Sequence, residues 1–161
     1  TGAMIKLYDK VLEYANVTKE DSVLDLYCGT GTIGIYLSRY CKNVLGIEIV
    51  ENAIKDANIN KELNGCDNVS FVCGDVGSLI NSDYKQDVLI VDPPRSGLDK
   101  KTRKVILDNE YKRVVYVSCD PMTLVRDLSE LSLKYDIKDI TLVDMFPNTY
   151  HVESVVLLEL K

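Results

Sequence analysis

The stretch IKDITLVDMFPNTYHVESVVLLEL, residues 137–160, decides how the predicted sheet of this chain ends. Residues 137–144 and 152–160 are each predicted to form a β-strand, and only residues 145–151 connect them. Two parallel neighbours need a crossover of roughly a dozen residues or more. The connection here is shorter, so the last strand is predicted to run antiparallel to the strand before it.

Upstream of this hairpin, short β-rich runs alternate with segments whose apolar residues recur at helical spacing. Strands are predicted at residues 22–27, 43–48, 69–73, 87–91 and 113–118, and helices at residues 3–16, 32–40, 50–63, 100–109 and 121–135. Such alternation predicts a parallel sheet with helices on both faces. The fold class is therefore α/β, with a Rossmann-like, seven-stranded, mostly parallel sheet and an antiparallel last strand. This layout resembles that of class I methyltransferases.

The length and composition are typical of one soluble globular domain, predicted to span residues 1–161. Apolar residues make up 46% of the chain and charged residues 27%, so a core can form. No apolar run approaches the ~20 residues of a membrane-spanning helix, and no membrane partner is expected. Residues 1–3 precede Met4 and are expected to be a cloning scar before a truncated start.

The five cysteines show no CxxC spacing and no Cys/His cluster, so no metal site is expected. Free thiols are typical of proteins in a reducing cytoplasm, which is the localisation we expect. Four cysteines are predicted to be small buried hydrophobic residues: Cys28, Cys41, Cys66 and Cys73. The fifth, Cys119, falls at the end of a predicted strand.

The net charge of −6 and the pI of about 4.8 are unfavourable for binding nucleic acid, because phosphate contacts require Lys and Arg. If RNA is the substrate, most of the binding surface is expected on a domain outside this chain. Seven basic residues lie close in sequence: Arg95, Lys100, Lys101, Arg103, Lys104, Lys112 and Arg113. They form either a local basic strip or the solvated faces of helices, and both interpretations stay open.

A glycine-rich segment, CGTGTIG at residues 28–34, follows the first predicted strand. It contains G-x-G-x-x-G, and Glu48 ends the next strand 19 positions after Gly29. Glycines such as Gly29 and Gly31 let a backbone approach a ligand closely, and the acid can accept hydrogen bonds from ribose hydroxyls. The pattern is shared by nicotinamide-dependent oxidoreductases and methyltransferases. A tight structural turn is a third interpretation.

Two further acids favour a methyltransferase. Asp25 lies within the first predicted strand, where methyltransferases commonly carry an acid that organises the loop. Asp75 follows the third strand, where its carboxylate can reach an adenine amino group. The carboxyl ends of parallel strands meet at one edge of the sheet. Residues 27–31 are therefore expected to share one crevice with the acids that follow the next three strands: Glu48, Asp75 and Asp92.

The fourth predicted strand ends in Asp92-Pro93-Pro94-Arg95. The residue before a proline is held extended, so two prolines in series fix the backbone and present the following residues to a bound base. In amino-methylating enzymes an aromatic residue follows the two prolines and stacks on a flipped base. Arg95 takes its place here, which argues against methylation of adenine N6. A purely structural loop is the alternative interpretation.

Cys119 and Glu153 are the candidates for covalent chemistry. Cys119 ends the fifth predicted strand just before a helix N-terminus, whose positive end is expected to lower the pKa of the thiol. A buried core cysteine is the alternative. Glu153 opens the last strand and is a candidate general base. His151, the only histidine, is a candidate for orienting the substrate, for packing or for acting as a second base.

A thiol and a carboxylate together suit methylation at carbon 5 of uracil, which is a poor nucleophile. Addition of a thiolate to carbon 6 places electron density on carbon 5, which then attacks the methyl donor. A base must remove the carbon-5 proton before the thiolate can leave. One cysteine and one base are therefore the minimum set for this reaction.

Five motifs in this order resemble the RNA uracil-5 methyltransferases, a bacterial group that acts on 23S ribosomal RNA and transfer RNA. They are DLYCGTGTIG (25–34), GIE (46–48), DPPRSGLD (92–99), SCDPMTLVRDL (118–128) and DMFPNTYHVE (144–153). The resemblance covers nearly the whole chain and implies S-adenosylmethionine as cofactor, RNA as substrate and a covalent adduct between cysteine and carbon 6. The GTGTIG segment resembles the ribosomal branch more than the transfer RNA branch, so 23S ribosomal RNA is the expected partner.

By the same resemblance, Cys119 is the expected nucleophile and Glu153 the expected base. The matching cofactor contacts are Tyr27, Thr32, Glu48, Asp75 and Asp92, to which the loop argument adds Gly29 and Gly31. The residues assigned to the substrate side are Pro93, Arg95 and His151. Arg126, in the VRDL segment, matches a family motif but has no assigned role.

The chain departs from this family in what surrounds the domain. Full-length members carry an N-terminal RNA-binding β-barrel and a central domain, sometimes with an iron–sulfur cluster, and a glutamine-bearing motif before the first helix. These 161 residues contain neither domain and no such motif, so weak cofactor and RNA binding is expected of the isolated chain. The alternative functions are a nicotinamide-dependent oxidoreductase and a non-catalytic module that binds S-adenosylmethionine or RNA.

Overall fold

The computed structural model describes residues 2–145 and 151–161. In chain order the elements are α1 (Gly2–Ala15), β1 (Ser22–Leu26), α2 (Thr32–Leu37), β2 (Asn43–Glu48), α3 (Glu51–Leu63), β3 (Val69–Cys73), α4 (Val76–Leu79), β4 (Val88–Val91), α5 (Lys100–Asn109), β5 (Arg113–Ser118), α6 (Pro121–Leu131), β6 (Tyr135–Asp144) and β7 (Val152–Leu160). All seven predicted strands are present, each within two residues of its predicted bounds. Within the described ranges, no helix combines the length and the hydropathy needed to cross a membrane.

The strands form one seven-stranded sheet in the order β3-β2-β1-β4-β5-β7-β6. The first five strands pair in parallel. β7 lies between β5 and β6 and runs antiparallel to both, which confirms the predicted fold. The chain moves from β1 to β3 on one side and then returns to β4 on the other. The carboxyl ends of β1 and β4 thus flank the switch point, where open α/β sheets bind ligands.

The central strands are buried on both faces, as expected of a parallel sheet. In β1, Leu24 and Leu26 belong to an apolar cluster shared with α5 and α6, and Val23 belongs to a second cluster shared with α1 and α2. Successive side chains of a strand point to opposite faces, so one short apolar run supplies both clusters. Helices therefore cover both faces of the sheet and leave its carboxyl edge open for a site.

The predicted boundary between α6 and β6 is wrong. The helix ends at Leu131, and Tyr135 is the first residue of β6 rather than the last of the helix. The Tyr135 side chain is fully buried, and its hydroxyl donates to Ile106 O at 2.8 Å and accepts the Tyr111 N–H at 2.9 Å. These contacts between residues distant in sequence hold Tyr135 in the sheet, and helical spacing alone cannot reveal them.

Two smaller differences concern short helices. α2 ends three residues earlier than predicted, at a turn where the Ser38 hydroxyl donates to Ile35 O at 2.6 Å. The four-residue helix α4 is absent from the sequence prediction, because a single turn is too short to show a helical period. Asp75 starts this turn by accepting the Ser78 N–H at 3.1 Å.

The cysteines are only partly as predicted. All five thiols are free, and Cys41 is buried, Cys28 and Cys66 are half-buried and Cys73 is exposed. The prediction of a buried Cys73 is therefore wrong. Cys73 is the last residue of β3, an edge strand, so neighbouring elements do not enclose it.

Candidate active site

A cavity of about 180 Å³ opens at the switch point between β1 and β4. Four predicted site residues line it: Tyr27, Gly29, Thr32 and Asp92. Asp25 also lines it, as do three residues of α1, which are Met4, Leu7 and Tyr8. The Tyr8 hydroxyl donates to Thr32 Oγ1 at 2.8 Å and so ties α1 to the glycine-rich loop. The apolar spacing of α1 indicates only that the helix packs, so its part in the site could not be predicted from sequence.

The two glycines of the loop serve different purposes. Gly31 has a φ of 78°, and a Cβ there would lie 2.5 Å from the Phe71 ring, so only glycine fits. Gly29 has a φ of 56°, and nothing lies within 4 Å of the place where its Cβ would be. The backbone at Gly29 therefore faces open space, where a ligand can approach closely.

Two acids at neighbouring strand ends retain acceptor capacity. Glu48 Oε1 accepts the Gly29 N–H at 3.0 Å, and Oε2 accepts the Val50 N–H at 3.0 Å. Each of these oxygens keeps a second lone pair for ribose hydroxyls. Asp75 Oδ2 accepts the Ser78 hydroxyl at 2.8 Å, whereas its Oδ1 has no hydrogen bond among the described residues. Both acids can therefore accept hydrogen bonds from a ligand.

Two carboxyl groups line the cavity, of which Asp25 is buried and Asp92 is half-buried. Burial, with the nearby Asp92, raises the pKa of Asp25 to about 8. Burial also raises the pKa of Asp92 to about 7, with Glu153 and Glu48 as further causes. Asp25 Oδ2 has no hydrogen-bond partner in the described part of the chain, and no basic side chain lines the cavity there. The site therefore favours a ligand that carries positive charge.

Tyr27 joins β1 to the glycine-rich loop with a φ of 62°, which is unusual for an aromatic residue. Its ring packs against the apolar cluster beneath α5 and α6, and burial raises the pKa of its hydroxyl to about 12. The ring is thus an anchor in the core, while the residue also lines the cavity. Backbone strain of this kind is concentrated at functional sites.

The antiparallel pairing of β5 with β7 brings Cys119 and Glu153 together. The register pairs Ser118 with Ser154, so the residue after Ser118 and the residue before Ser154 are neighbours. Only 14% of the Glu153 side chain is exposed, and its Oε2 has no hydrogen-bond partner among the described residues. Its Oε1 lies 3.2 Å from His151 Nε2. The candidate nucleophile, base and histidine therefore form one cluster.

The prediction that the helix N-terminus lowers the pKa of Cys119 is wrong. Burial raises the pKa of this thiol, the Glu153 carboxyl raises it further, and the Arg95 charge opposes them. Asp120 already caps α6, because its carboxylate accepts a backbone N–H of the first turn at 2.9 Å. The Asp120 carboxylate thus offsets the positive end of the helix dipole, which therefore does not lower the pKa of the Cys119 thiol.

The residues assigned to the substrate side differ in exposure. Pro93 is buried, whereas Arg95 is exposed, and the Arg95 guanidinium has no hydrogen bond or ion pair among the residues that the structure describes. Its charge acts on the Cys119 thiol. Arg95 is therefore available both to the thiol and to a ligand. Within the described ranges, no group of three or more His, Cys, Asp or Glu side chains could hold a metal ion.

The seven basic residues do not form one strip. Lys112 precedes β5, at the opposite end of the sheet from the cavity, and binds Asp21 Oδ1 at 2.9 Å. Arg103 binds Glu130 Oε2 at 2.5 Å and is largely buried. These pairings support the interpretation as solvated and internally neutralised faces rather than as a phosphate-binding strip.

The sequence matches two family models. One, described as tRNA (uracil-5-)-methyltransferase, matches residues 74–161, which is more than half of the chain. This chain belongs to the tRNA (uracil-5-)-methyltransferase family. The second model, a general methyltransferase domain, matches residues 23–115 and includes the glycine-rich loop. Both matches favour the methyltransferase interpretation of that loop over a nicotinamide-dependent oxidoreductase.

Curated relatives are similar to the chain across almost its whole length. An uncharacterized RNA methyltransferase of Staphylococcus aureus (strain MSSA476) is 48% identical over 160 residues, which cover 97% of this chain and 35% of the relative. Another, of Halalkalibacterium halodurans, is 51% identical over 160 residues and covers 96% of this chain and 35% of the relative. The chain therefore spans about a third of the length of these relatives.

Solved structures agree with this family assignment. The crystal structure of Pyrococcus abyssi tRNA (uracil-54, C5)-methyltransferase in complex with S-adenosyl-L-homocysteine matches with a TM-score of 0.84 and 38% identity, covering 96% of this chain and 37% of that one. A dimethyladenosine transferase from Plasmodium falciparum has a TM-score of 0.75 at 20% identity, covers 97% of this chain and 62% of that one, and shows the fold alone. The predicted family and fold are confirmed, as is S-adenosylmethionine as the cofactor of this tRNA (uracil-5-)-methyltransferase family.

Proposed function

We propose that this chain is the catalytic domain of an enzyme that methylates carbon 5 of uridine in RNA. The observation that carries the proposal is the pairing of Cys119 with Glu153, within electrostatic reach of Asp92, which lines the cavity at the switch point. A structural cysteine would need no carboxylate with an unpartnered oxygen next to it. The chemistry of a nicotinamide-dependent oxidoreductase would give no role to Cys119 or to Glu153.

The cavity suits S-adenosylmethionine, whose ammonium and sulfonium groups are cationic. Asp25 and Asp92 supply carboxyl groups without a basic partner, and the Gly29 backbone leaves room for close approach. Glu48 can accept hydrogen bonds from the ribose hydroxyls and Asp75 from the adenine amino group. When bound, S-adenosylmethionine supplies an electrophilic methyl group. We assign Tyr27, Gly31 and Thr32 to the shape of the loop that holds it.

The proposed reaction uses the thiol first and the carboxylate last. The Cys119 thiolate adds to carbon 6 of uracil, and the electron pair of the 5,6 double bond makes carbon 5 nucleophilic. After methyl transfer, carbon 5 carries both the methyl group and its original proton. Glu153 removes that proton, the C–H electron pair restores the double bond, and the carbon–sulfur bond breaks to release the thiolate. Both residues are then ready for another turnover once Glu153 loses its proton.

The charged groups around the Cys119 thiol determine how much of it is present as the reactive thiolate. The raised pKa of Cys119 makes the thiolate a minor species at neutral pH, so the positive charge of Arg95 is needed beside it. Asp92 lines the cavity, and its charge also disfavours the Cys119 thiolate. We assign Pro93, Arg95 and His151 to the substrate side of the site.

RNA is the proposed partner, with 23S ribosomal RNA favoured by the GTGTIG segment. The net charge of −6 and the pairing of basic side chains such as Lys112 imply that additional protein provides most of the phosphate contacts. We therefore propose that residues 1–161 act as one domain of a longer cytoplasmic protein, consistent with the 35% coverage of the relatives.

Tritium release from RNA labelled at carbon 5 of uridine tests the proposed function directly. Methylation at carbon 5 should release one tritium for each methyl group incorporated from labelled S-adenosylmethionine. Fragments of 23S ribosomal RNA and transfer RNA, offered in parallel, identify the preferred substrate. Methyl incorporation without tritium release would place the reaction at a different atom, and no incorporation into either RNA by the chain extended to the length of its relatives would favour a non-catalytic module.

A further inference from the structure

Helix α6 holds the segment that carries Arg95. This segment, residues 94–98, follows β4 and is here called the 94–98 turn. Thr123 Oγ1 donates to the Arg95 carbonyl oxygen at 2.9 Å. Arg126 Nη2 donates to two further carbonyl oxygens of the turn, at 2.9 and 3.0 Å. Three carbonyl oxygens of the turn are thus bound by side chains of one helix.

A buried carboxylate fixes the Arg126 side chain in this position. Asp127 is fully buried, and its Oδ1 accepts Arg126 Nε at 3.1 Å and Nη2 at 2.9 Å. Its Oδ2 accepts the Leu98 N–H at 2.9 Å and the Tyr116 hydroxyl at 2.5 Å. Tyr116 belongs to β5, the strand that ends at the residue before Cys119. The network therefore connects the turn after β4 to the strand that carries the candidate nucleophile.

The 94–98 turn packs tightly against α6. Gly97 has a φ of 76°, and a Cβ there would lie 2.7 Å from both Arg126 Nη2 and Asp127 Oδ2. Only glycine gives the turn this conformation while it lies directly on the two side chains. The position of the turn relative to α6 is thus set within narrow limits.

The parallel register pairs Val91 of β4 with Tyr116 of β5, so the 94–98 turn begins alongside Cys119. Three charged or titratable groups act on the Cys119 thiol. Glu153 from β7 and Asp92 from the end of β4 disfavour the thiolate, whereas Arg95 from the 94–98 turn favours it. The Arg95 guanidinium has no side-chain partner among the described residues, so its placement depends on its backbone. That backbone is held by Thr123 and Arg126.

We propose that Arg126 is a positioning residue, which locks the 94–98 turn onto α6 so that the Arg95 guanidinium stays beside the Cys119 thiol and stabilises its thiolate. The proposal rests on the proposed function, in which that thiolate is the nucleophile. Arg126, a motif residue without an assigned role, would then act on the thiol indirectly, by positioning Arg95.

The test measures the alkylation rate of Cys119 by iodoacetamide as a function of pH, with peptide mass spectrometry to resolve the five thiols. Arg95→Gln and Arg126→Gln should each raise the midpoint of the Cys119 profile by about half a pH unit, which slows alkylation roughly three-fold below the midpoint. The double variant should match Arg95→Gln alone, because Arg126 acts through Arg95. Arg39→Gln, an exposed arginine remote from the turn, is the matched control and should leave the profile unchanged.

Two results overturn the proposal. One is an Arg126→Gln profile identical to that of the parent chain, and the other is a double variant whose shift is the sum of the single shifts. If Arg126→Gln does not fold, Thr123→Val decides the question: it removes the 2.9 Å contact to the Arg95 carbonyl, with a longer one of 3.4 Å to the Asp120 carbonyl, and should raise the midpoint in the same direction. Alkylation needs no RNA, so a failure of the proposed function would appear separately, as a chain that forms no RNA adduct while the Arg126 effect persists.

Discussion

Glu153 of β7 lies beside Cys119 at the end of β5, because the antiparallel register of the two strands pairs Ser118 with Ser154. Insertion of β7 between β5 and β6 is what creates this neighbour relationship. A purely parallel sheet would place another strand's carboxyl end there instead. The reversed last strand thus supplies the site with a carboxylate from its own first residues.

Replacing Glu153 should separate methyl transfer from release. Glu153→Gln keeps the size of the side chain but cannot take the carbon-5 proton, so the methylated RNA should stay covalently bound and turnover should fall by about 100-fold or more. Gel electrophoresis under denaturing conditions measures the trapped species. Glu159→Gln, near the other end of β7, is the control and should turn over normally. Unchanged turnover in Glu153→Gln would remove this residue from the mechanism.

Glu48 should contribute to cofactor affinity. Glu48→Ala removes the acceptor for ribose hydroxyls and the partner of the Gly29 N–H, so the Kd for S-adenosylhomocysteine should rise about ten-fold or more. Isothermal titration calorimetry measures this change. Glu51→Ala, in the exposed first turn of α3, should bind like the parent chain. Equal affinities of the parent and Glu48→Ala would mean that the ligand lies elsewhere.

The stability of the ligand-free chain should fall as pH rises. Asp25 and Asp92 have folded pKa values of about 8 and about 7, above the usual 3.8, so the folded state binds more protons than the unfolded state between those limits. The free energy of unfolding should therefore decrease from about pH 4 to pH 8, by up to about 1.4 kcal/mol per pH unit for each carboxyl.

Thermal unfolding across this pH range measures the effect. Asp25→Asn should flatten the dependence, whereas Asp56→Asn, on the exposed face of α3, should preserve it. A slope in Asp25→Asn as steep as in the parent chain would show that Asp25 is ionised in the folded protein.

The loop glycines should differ from other glycines in their tolerance of a side chain. Gly31→Ala forces a Cβ into the Phe71 ring at a positive φ, so it should destabilise the chain by about 2–4 kcal/mol and abolish cofactor binding. Gly65→Ala is the matched control, since its φ is 63° but its Cβ meets nothing within 4 Å, and it should cost about 1 kcal/mol. Urea denaturation compares the two. Similar losses would mean that Phe71 moves aside.

The grouping of the site residues at one edge of the sheet could be predicted from sequence, because acidic and nucleophilic residues follow apolar runs. Glu48, Asp92 and Cys119 each come at or just after the end of a buried strand, so a parallel sheet must bring them to one edge. The short connection before Glu153 fixed the direction of the last strand in the same way. These inferences needed only spacing and strand direction, which local sequence carries.

Features that depend on contacts between distant residues could not be predicted. The pKa of Cys119 is raised by burial and by the Glu153 carboxyl. The start of β6 depends on the hydrogen bond from the Tyr135 hydroxyl to Ile106 O. The contact of Tyr8 with Thr32 across the cavity likewise joins residues 24 positions apart. Nothing in the local pattern of either segment indicates such a contact. The role proposed for Arg126 likewise depends on contacts with carbonyl oxygens 28 and 30 positions away in sequence.

The covalent adduct with RNA that contains 5-fluorouridine tests the central claim most directly. Fluorine cannot leave carbon 5 as a proton does, so with S-adenosylmethionine the chain, extended to the length of its relatives, should form an adduct that survives denaturant. Cys119→Ala should form none, and Cys73→Ala, which removes an exposed thiol elsewhere, should form as much as the parent. An adduct that persists in Cys119→Ala, or a parent protein that forms none, would contradict the account.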